Sequence, residues 1–179
     1  NMADFGITQM PVQDRKLQVV NIHTDEIRAI VPAGHELAAA ASATAEDIVR
    51  FPLILPKYGA TRARLNEWMD AVEDRMHIAM ELDSTEMLKR FVVTGMGIGF
   101  VAETHCREEV AAGLLHAIPL APEPMVRKLA LVYRKDKALS KAALGFIEVV
   151  LKHAGLSAAR AAAVPARAAR SGTEWKAEP

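Results

Sequence analysis

The spacing of apolar residues changes repeatedly along the chain between the two-residue period of strands and the longer period of helices. Two runs rich in β-branched residues, at 17–23 and 26–31, predict neighbouring strands joined at Thr24 and Asp25. Proline bounds a compact apolar run at 51–56, which fits either a buried strand or a crossover segment. Other predicted strands lie at residues 3–8, 78–82, 98–101, 114–120 and 127–134.

Helices are predicted between these strands, and several begin at a residue that can cap a helix. Thr44, Thr61 and Ser140 each precede a segment with helical spacing, and their hydroxyls can accept hydrogen bonds from free backbone N–H groups. Gly155 ends the last long helix, which Ser140 begins. The apolar positions of the helix that Thr61 begins are Leu65, Trp68, Met69 and Val72.

Residues 81–101 contain a strand end, a capped helix, a glycine turn and a second strand. Asp83 or Ser84 can cap this helix. Gly95 and Gly97 can adopt positive φ without steric cost, which ends the helix and turns the chain into the next strand. A strand, a helix and a strand in close succession are the repeating unit of an open α/β sheet, so the sequence predicts an α/β fold.

Two candidate hinges, at residues 53–56 and 122–127, bracket a block of such units. The segments before and after the block must then form one discontinuous lobe, and two crossovers between two lobes are typical of proteins that close a cleft around a ligand. The Ala- and Arg-rich end predicts a disordered or loosely helical tail. The predicted division is 1–53 for the first part of lobe one, 54–124 for lobe two, 125–155 for its return segment and 156–179 for the tail.

Composition narrows the classes of function. Of 179 residues, 51% are hydrophobic and 25% are charged, which is enough for a buried core. Lysine plus arginine equals aspartate plus glutamate at 22 each, so net charge favours neither nucleic acid nor an anionic membrane. The first residues lack a signal peptide, and no apolar run approaches the roughly 20 residues of a membrane span. A single cysteine, Cys106, suits a reducing compartment, and a cytoplasmic location is expected.

Short segments in a fixed order resemble the effector-binding domain of LysR-type transcriptional regulators. Within 81–101 the matching features are Ser84 and Thr85 after an acidic residue, then a helix, then a Val-x-x-Gly-x-Gly-Ile motif that begins at Val92. One departure is His35-Glu36-Leu37, where the family has His-Pro-Leu. Nothing matches the winged helix-turn-helix, its linker helix or the first strand-helix-strand part of lobe one. The other matching segments are 3–7, 28–32, 35–38, 47–48, 52–55, 118–120, 129–135, 139–140 and 146–147.

The resemblance implies a two-lobe periplasmic-binding-protein-like fold of type 2, with lobe one incomplete because the chain is N-terminally truncated. It implies a small-molecule effector, with carboxylates as one candidate class, and control of DNA binding by a helix-turn-helix that this chain does not contain. A homodimer or tetramer in the cytoplasm is expected, without a cofactor, a metal or a membrane partner.

Ligand-binding residues are expected where strand ends and helix N-termini converge, because free N–H groups and the helix dipole favour an anion there. The segment 57–62 offers two cations and a hydroxyl, whereas Glu81 and Glu86 argue against a strongly anionic ligand. Family resemblance implies a pocket wall at 83–85. The candidate ligand-binding residues are Lys57, Tyr58, Gly59, Thr61, Arg62, Asp83, Ser84, Thr85, Gln9, Val31, Phe100 and Val101.

Each group of candidates also has a purely structural interpretation. Thr61 can serve only as a cap, and so can Asp83 or Ser84. The cations of 57–62 can be solvated, and Phe100 and Val101 can pack in the core. A transport-associated solute-binding protein of the same fold is the alternative function, and it would require an export signal. An enzyme on a similar two-lobe scaffold is a further alternative.

Motifs that would indicate catalysis, nucleotide binding or a metal site fail on physical grounds. Gly95-x-Gly97-x-Gly99 follows a helix and enters a strand, which is the reverse of a phosphate-binding loop. Among the acidic, histidine and cysteine residues of 103–109, only His105 and Glu109 share a helix face, so a metal site is not expected. The sequence contains no G-x-S-x-G elbow and no acid/base pair, so an enzyme is not expected.

Overall fold

The computed structural model describes residues 3–156, which divide between two compact units. Within the described residues, unit 1 combines 3–23 with 128–156, and unit 2 is the continuous segment Thr24–Arg127. Of the tail predicted at 156–179, only Leu156 lies within the described residues.

Unit 1 is a small sheet that packs against one helix. It contains β1 (Phe5–Gln9), the first part of β2 (Leu17–Pro32), most of β7 (Met125–Arg134) and α5 (Lys141–His153). The strand order is β1-β7-β2, and β1 runs antiparallel to β7. Ser140 caps α5 as predicted, accepting a hydrogen bond from the Ala143 N–H at 3.1 Å. The core of this unit includes the buried side chains of Leu131, Tyr133, Ile147 and Leu151.

Unit 2 is a mixed sheet with helices between its strands. The strand order is β2-β5-β3-β4, and β6 also pairs with β2. Strand β3 is parallel to β4 and β5, whereas β2 is antiparallel to β5 and β6. Short 3₁₀ helices cover Glu36–Ala39, Asp70–Arg75 and Glu103–His105. The remaining elements are α1 (Ala45–Ile48), β3 (Pro52–Pro56), α2 (Ala60–Met69), β4 (His77–Leu82), α3 (Thr85–Val93), β5 (Ile98–Ala102), α4 (Arg107–Ala111) and β6 (Leu115–Pro119).

Strand β3 is buried on both faces, as a parallel strand between helices should be. Leu53 and Leu55 belong to the core that includes Leu65 of α2, whereas Ile54 belongs to the core that includes Leu88 of α3. Successive side chains of a strand point to opposite faces, so α2 and α3 cover opposite sides of the sheet.

Two features differ from the sequence expectation. Residues 17–32 form one strand rather than two strands joined at Thr24 and Asp25. The chain passes between units at His23 and Thr24, whereas the predicted hinge at 53–56 is the interior strand β3, held by pairing to both neighbours. The other predicted hinge, 122–127, ends where unit 2 ends. None of the helices within residues 3–156 combines the length and apolarity needed to cross a bilayer.

Candidate functional site

The parallel strands of unit 2 end on the same side of the sheet. Strands β3 and β4 end at Pro56 and Leu82, and each is followed by the N-terminus of a helix. The Lys57 N–H donates to the Leu82 carbonyl oxygen at 2.8 Å, so the two strand ends lie side by side. We call this region, residues 57–62 and 83–85, the carboxyl edge. It brings together two of the segments that the sequence predicted to bind a ligand.

Helix α2 begins at the carboxyl edge without a side-chain cap. Its capping residue is Gly59, whose φ of 97° is a conformation that favours glycine. Thr61, predicted to cap this helix, is instead its second residue, so that prediction is wrong. Because no side chain accepts a hydrogen bond at this start, the first N–H groups of α2 are suited to an anionic partner.

Helix α3 begins beside it with a side-chain cap. The Ser84 Oγ accepts a hydrogen bond from the Met87 N–H at 3.3 Å, so Ser84 rather than Asp83 is the cap. Asp83 and Thr85 are both exposed at the same edge. The capping interpretation of Ser84 is therefore confirmed, and a ligand role of this segment stays a prediction.

The two cations of the carboxyl edge have different surroundings. Lys57 is exposed, and its neighbour Tyr58 has 69% of its surface exposed. Arg62 has only 17% of its side chain exposed and forms an ion pair with Glu81 of β4. It also donates to the Pro56 carbonyl oxygen at 3.0 Å and to the Asn66 side chain at 2.8 Å.

The other predicted ligand residues lie elsewhere. Gln9 is in β1 of unit 1, opposite Leu129 of β7. Val31, Phe100 and Val101 are buried in the cores of unit 2. The Phe100 ring meets the Trp68 ring edge to face, with centroids 6.2 Å apart, which is ordinary core packing.

An ionic cluster that the sequence did not reveal lies at the end of β5. Asp25 is buried, and its carboxylate accepts hydrogen bonds from the Thr104 hydroxyl, the Glu26 N–H and Arg127. Burial alone would raise the pKa of Asp25, but these bonds and the Arg127 charge outweigh it and lower the pKa below its ordinary value. Asp25 is therefore held as a carboxylate inside unit 2.

A second cluster includes Glu109, one of the acidic residues between 103 and 109. Buried Lys89 of α3 forms ion pairs with Glu86 at 2.9 Å and Glu109 at 2.6 Å, and donates to the His105 carbonyl oxygen at 2.9 Å. The hydrogen bond from Lys89 lowers the pKa of Glu109. Within the described part of the chain, no three His, Cys, Asp or Glu side chains are grouped so as to hold a metal ion.

Comparison with known proteins identifies a matching family and several similar proteins. A family model described as LysR substrate binding domain matches residues 1–155. The probable RuBisCO transcriptional regulator of Synechocystis is 31% identical over 139 residues, which are 75% of this chain and 40% of that protein. The HTH-type transcriptional regulator CbbR of Sinorhizobium medicae is 27% identical over 150 residues, which are 83% of this chain and 48% of that protein. The chain thus spans less than half the length of these curated relatives.

Solved structures share the fold. The regulatory domain of Synechocystis CcmR, solved in complex with 2-PG, superposes with a TM-score of 0.75 at 19% identity, covering 86% of this chain and 74% of that one. HinK, a LysR family transcriptional regulator from Pseudomonas aeruginosa, has a TM-score of 0.71 at 22% identity, covering 84% of this chain and 52% of that one. The predicted fold class, α/β and periplasmic-binding-protein-like, is confirmed.

Proposed function

Since this chain belongs to the LysR substrate-binding domain family, we propose that it senses a small-molecule effector for a transcriptional regulator. The observation that carries the proposal is the family match over residues 1–155, which spans nearly all described residues. The curated relatives are transcriptional regulators, and CbbR is named as HTH-type. DNA binding would then reside in the part of the regulator that this chain does not span.

We place the contact of unit 2 with the effector at the carboxyl edge. The exposed Lys57 ammonium, the open start of α2 after Gly59, and the hydroxyls of Thr61 and Thr85 would supply donors there. Such donors suit a small anion, because a helix N-terminus and a lysine both favour negative charge. Val31, Phe100 and Val101 are left out of this proposal because their side chains form the core. Gln9 stays a candidate from unit 1.

The effector class we favour is a small acid with few charges. The regulatory domain of CcmR was solved with 2-PG, and the carboxyl edge offers donors for an anionic group. Glu81 and Glu86 flank this edge, so a ligand with high negative charge would be repelled. In this proposal the domain binds its effector without catalysing a reaction. It assembles as a homodimer or tetramer in the cytoplasm.

A ligand screen on the full-length gene product tests the proposed function. The probes are 2-PG, benzoate, succinate and citrate, each followed by thermal shift and then by calorimetric titration. A ligand at about 100 times its Kd should stabilise the folded protein by about 2.7 kcal/mol, which raises the melting temperature measurably.

Two variants localise the effect. Lys57→Gln should weaken binding of the probe that stabilises the wild type, whereas Lys128→Gln, at an exposed lysine of unit 1, should leave the affinity unchanged. The proposal is rejected if no small acid raises the melting temperature of the wild type.

A further inference from the structure

Arg62 connects three elements of the carboxyl edge. Its guanidinium donates to the carbonyl oxygen of Pro56, the last residue of β3, and to the carboxylate of Glu81 in β4. Its Nε donates to Asn66, one turn further along α2. The bond to Pro56 lies directly before the segment 57–59, which is the connection between β3 and α2. Arg62 therefore fixes this connection to the neighbouring strand and to the helix that follows.

The charge of Arg62 is neutralised within the protein. Glu81 occupies one side of the guanidinium, and the side chain of Arg62 is only 17% exposed. Lys57 is exposed by contrast, and none of the ion pairs formed within residues 3–156 includes it. A ligand anion at this edge would meet the charge of Lys57 with little competition, whereas it would compete with Glu81 for Arg62.

We propose that Arg62 is a positioning residue that acts through Glu81 to hold the 57–59 segment, and that Lys57 is the cation that selects an anionic effector. The proposal rests on the proposed function for its ligand and assigns separate roles to the two cations. A preorganised loop binds better because less conformational freedom is lost on binding. Arg62 thus contributes to affinity without touching the ligand.

The first experiment requires no ligand. Amide hydrogen exchange is measured on the full-length protein for wild type, Arg62→Gln and Glu81→Gln. Each variant should speed exchange of the Lys57 amide, which donates to Leu82, by about tenfold or more because the local opening becomes easier. Arg75→Gln and Glu46→Gln are the matched controls, since Arg75 and Glu46 form an exposed ion pair in the same unit. The controls should leave this exchange rate unchanged.

The second experiment titrates inorganic phosphate into the same proteins at two salt concentrations. Arg62→Gln and Glu81→Gln should each weaken phosphate binding by about three- to tenfold, and the double variant should lose no more than one single variant, because the two residues act as a unit. Lys57→Gln should abolish most of the salt dependence of phosphate affinity, whereas Arg62→Gln should retain that dependence.

The opposite pattern identifies Arg62 as a direct ligand contact. In that case Glu81→Gln frees the guanidinium and tightens phosphate binding, and Arg62→Gln removes the salt dependence; either result overturns the proposal. An unchanged exchange rate of the Lys57 amide in both variants also overturns the proposal, whatever the result of the phosphate titration. Arg62→Lys keeps the charge and replaces Arg62→Gln if that variant does not fold. Absence of any small-acid binding by the wild type would count against the proposed function alone, because exchange is measured without ligand.

Discussion

Arg127 donates a hydrogen bond to Asp25 at 3.2 Å. This ion pair joins the last residue of unit 2, Arg127, to the second residue of the same unit, Asp25. The Asp25 side chain is 3% exposed and that of Arg127 is 13% exposed. The Thr104 hydroxyl also donates to the Asp25 carboxylate, so the 3₁₀ helix that follows β5 takes part in the same cluster. The points at which the chain enters and leaves unit 2 are therefore held together by buried charges.

Removing the cation of this pair should destabilise the protein strongly. Arg127→Ala removes a positive charge from beside the buried Asp25 carboxylate, and breaking a buried pair in this way costs about 3–5 kcal/mol. Urea unfolding followed by circular dichroism measures the loss. Arg75→Ala is the control, because its ion pair with Glu46 is exposed and should contribute less than about 1 kcal/mol. Equal losses in the two variants would contradict the assigned role of the buried pair.

The same cluster predicts a dependence of stability on pH. The pKa of Asp25 is lowered in the folded protein, so its ionised form stabilises the fold above the unfolded value of about 4. That contribution is lost as the pH falls through the lower folded pKa. Asp25→Asn has no such titration, so the difference in unfolding free energy between wild type and variant should narrow below about pH 4. Urea unfolding at a series of pH values tests this, and a constant difference would contradict it.

A close contact at the start of β5 predicts an unusual effect of one methyl group. A Cβ at Gly97 would lie 2.6 Å from the Pro52 carbonyl oxygen, so Gly97→Ala must displace backbone and should cost about 1–3 kcal/mol. Gly145 of α5 has open space around it, and Gly145→Ala should stabilise by about 0.5–1 kcal/mol. Thermal unfolding compares the two variants. A Gly97→Ala protein as stable as wild type would refute the contact.

The cap of α3 predicts a smaller effect. Ser84→Ala removes the acceptor of the Met87 N–H and should cost about 1 kcal/mol, whereas Ser84→Asp should keep most of the stability. Thr85→Ala, at the exposed first residue of α3, should change stability by less than about 0.5 kcal/mol. Urea unfolding separates these outcomes. Similar losses for Ser84→Ala and Thr85→Ala would show that Ser84 does not act as the cap.

Sequence patterns predicted the elements whose causes are local. The candidate caps and the glycine turn located α3, and Ser84 stands at its start because a hydroxyl there satisfies a free N–H. The polar pair Thr24 and Asp25 predicted a break in β2 that does not exist. The carboxylate of Asp25 is satisfied by Thr104 and Arg127, which are 79 and 102 residues away, and no local pattern reveals such partners.

The sequence also predicted part of the candidate site. The segments around Lys57 and Ser84 were selected from the expected meeting of strand ends and helix starts, and the structure brings them together. The sequence did not predict that Gly59, and not Thr61, is the N-cap of α2, because a glycine at positive φ leaves no side-chain signal. Nor did it reveal the pairing of Arg62 with Glu81, which depends on the register of two strands.

Amide hydrogen exchange with and without effector shows whether the effector binds at the carboxyl edge. The full-length protein is measured in the presence of the small acid that raises its melting temperature. We expect that within unit 2 the effector slows exchange mainly at residues 57–62 and at 84–88, the starts of α2 and α3. Saturating effector that leaves both of these segments unchanged would contradict a binding site at the carboxyl edge.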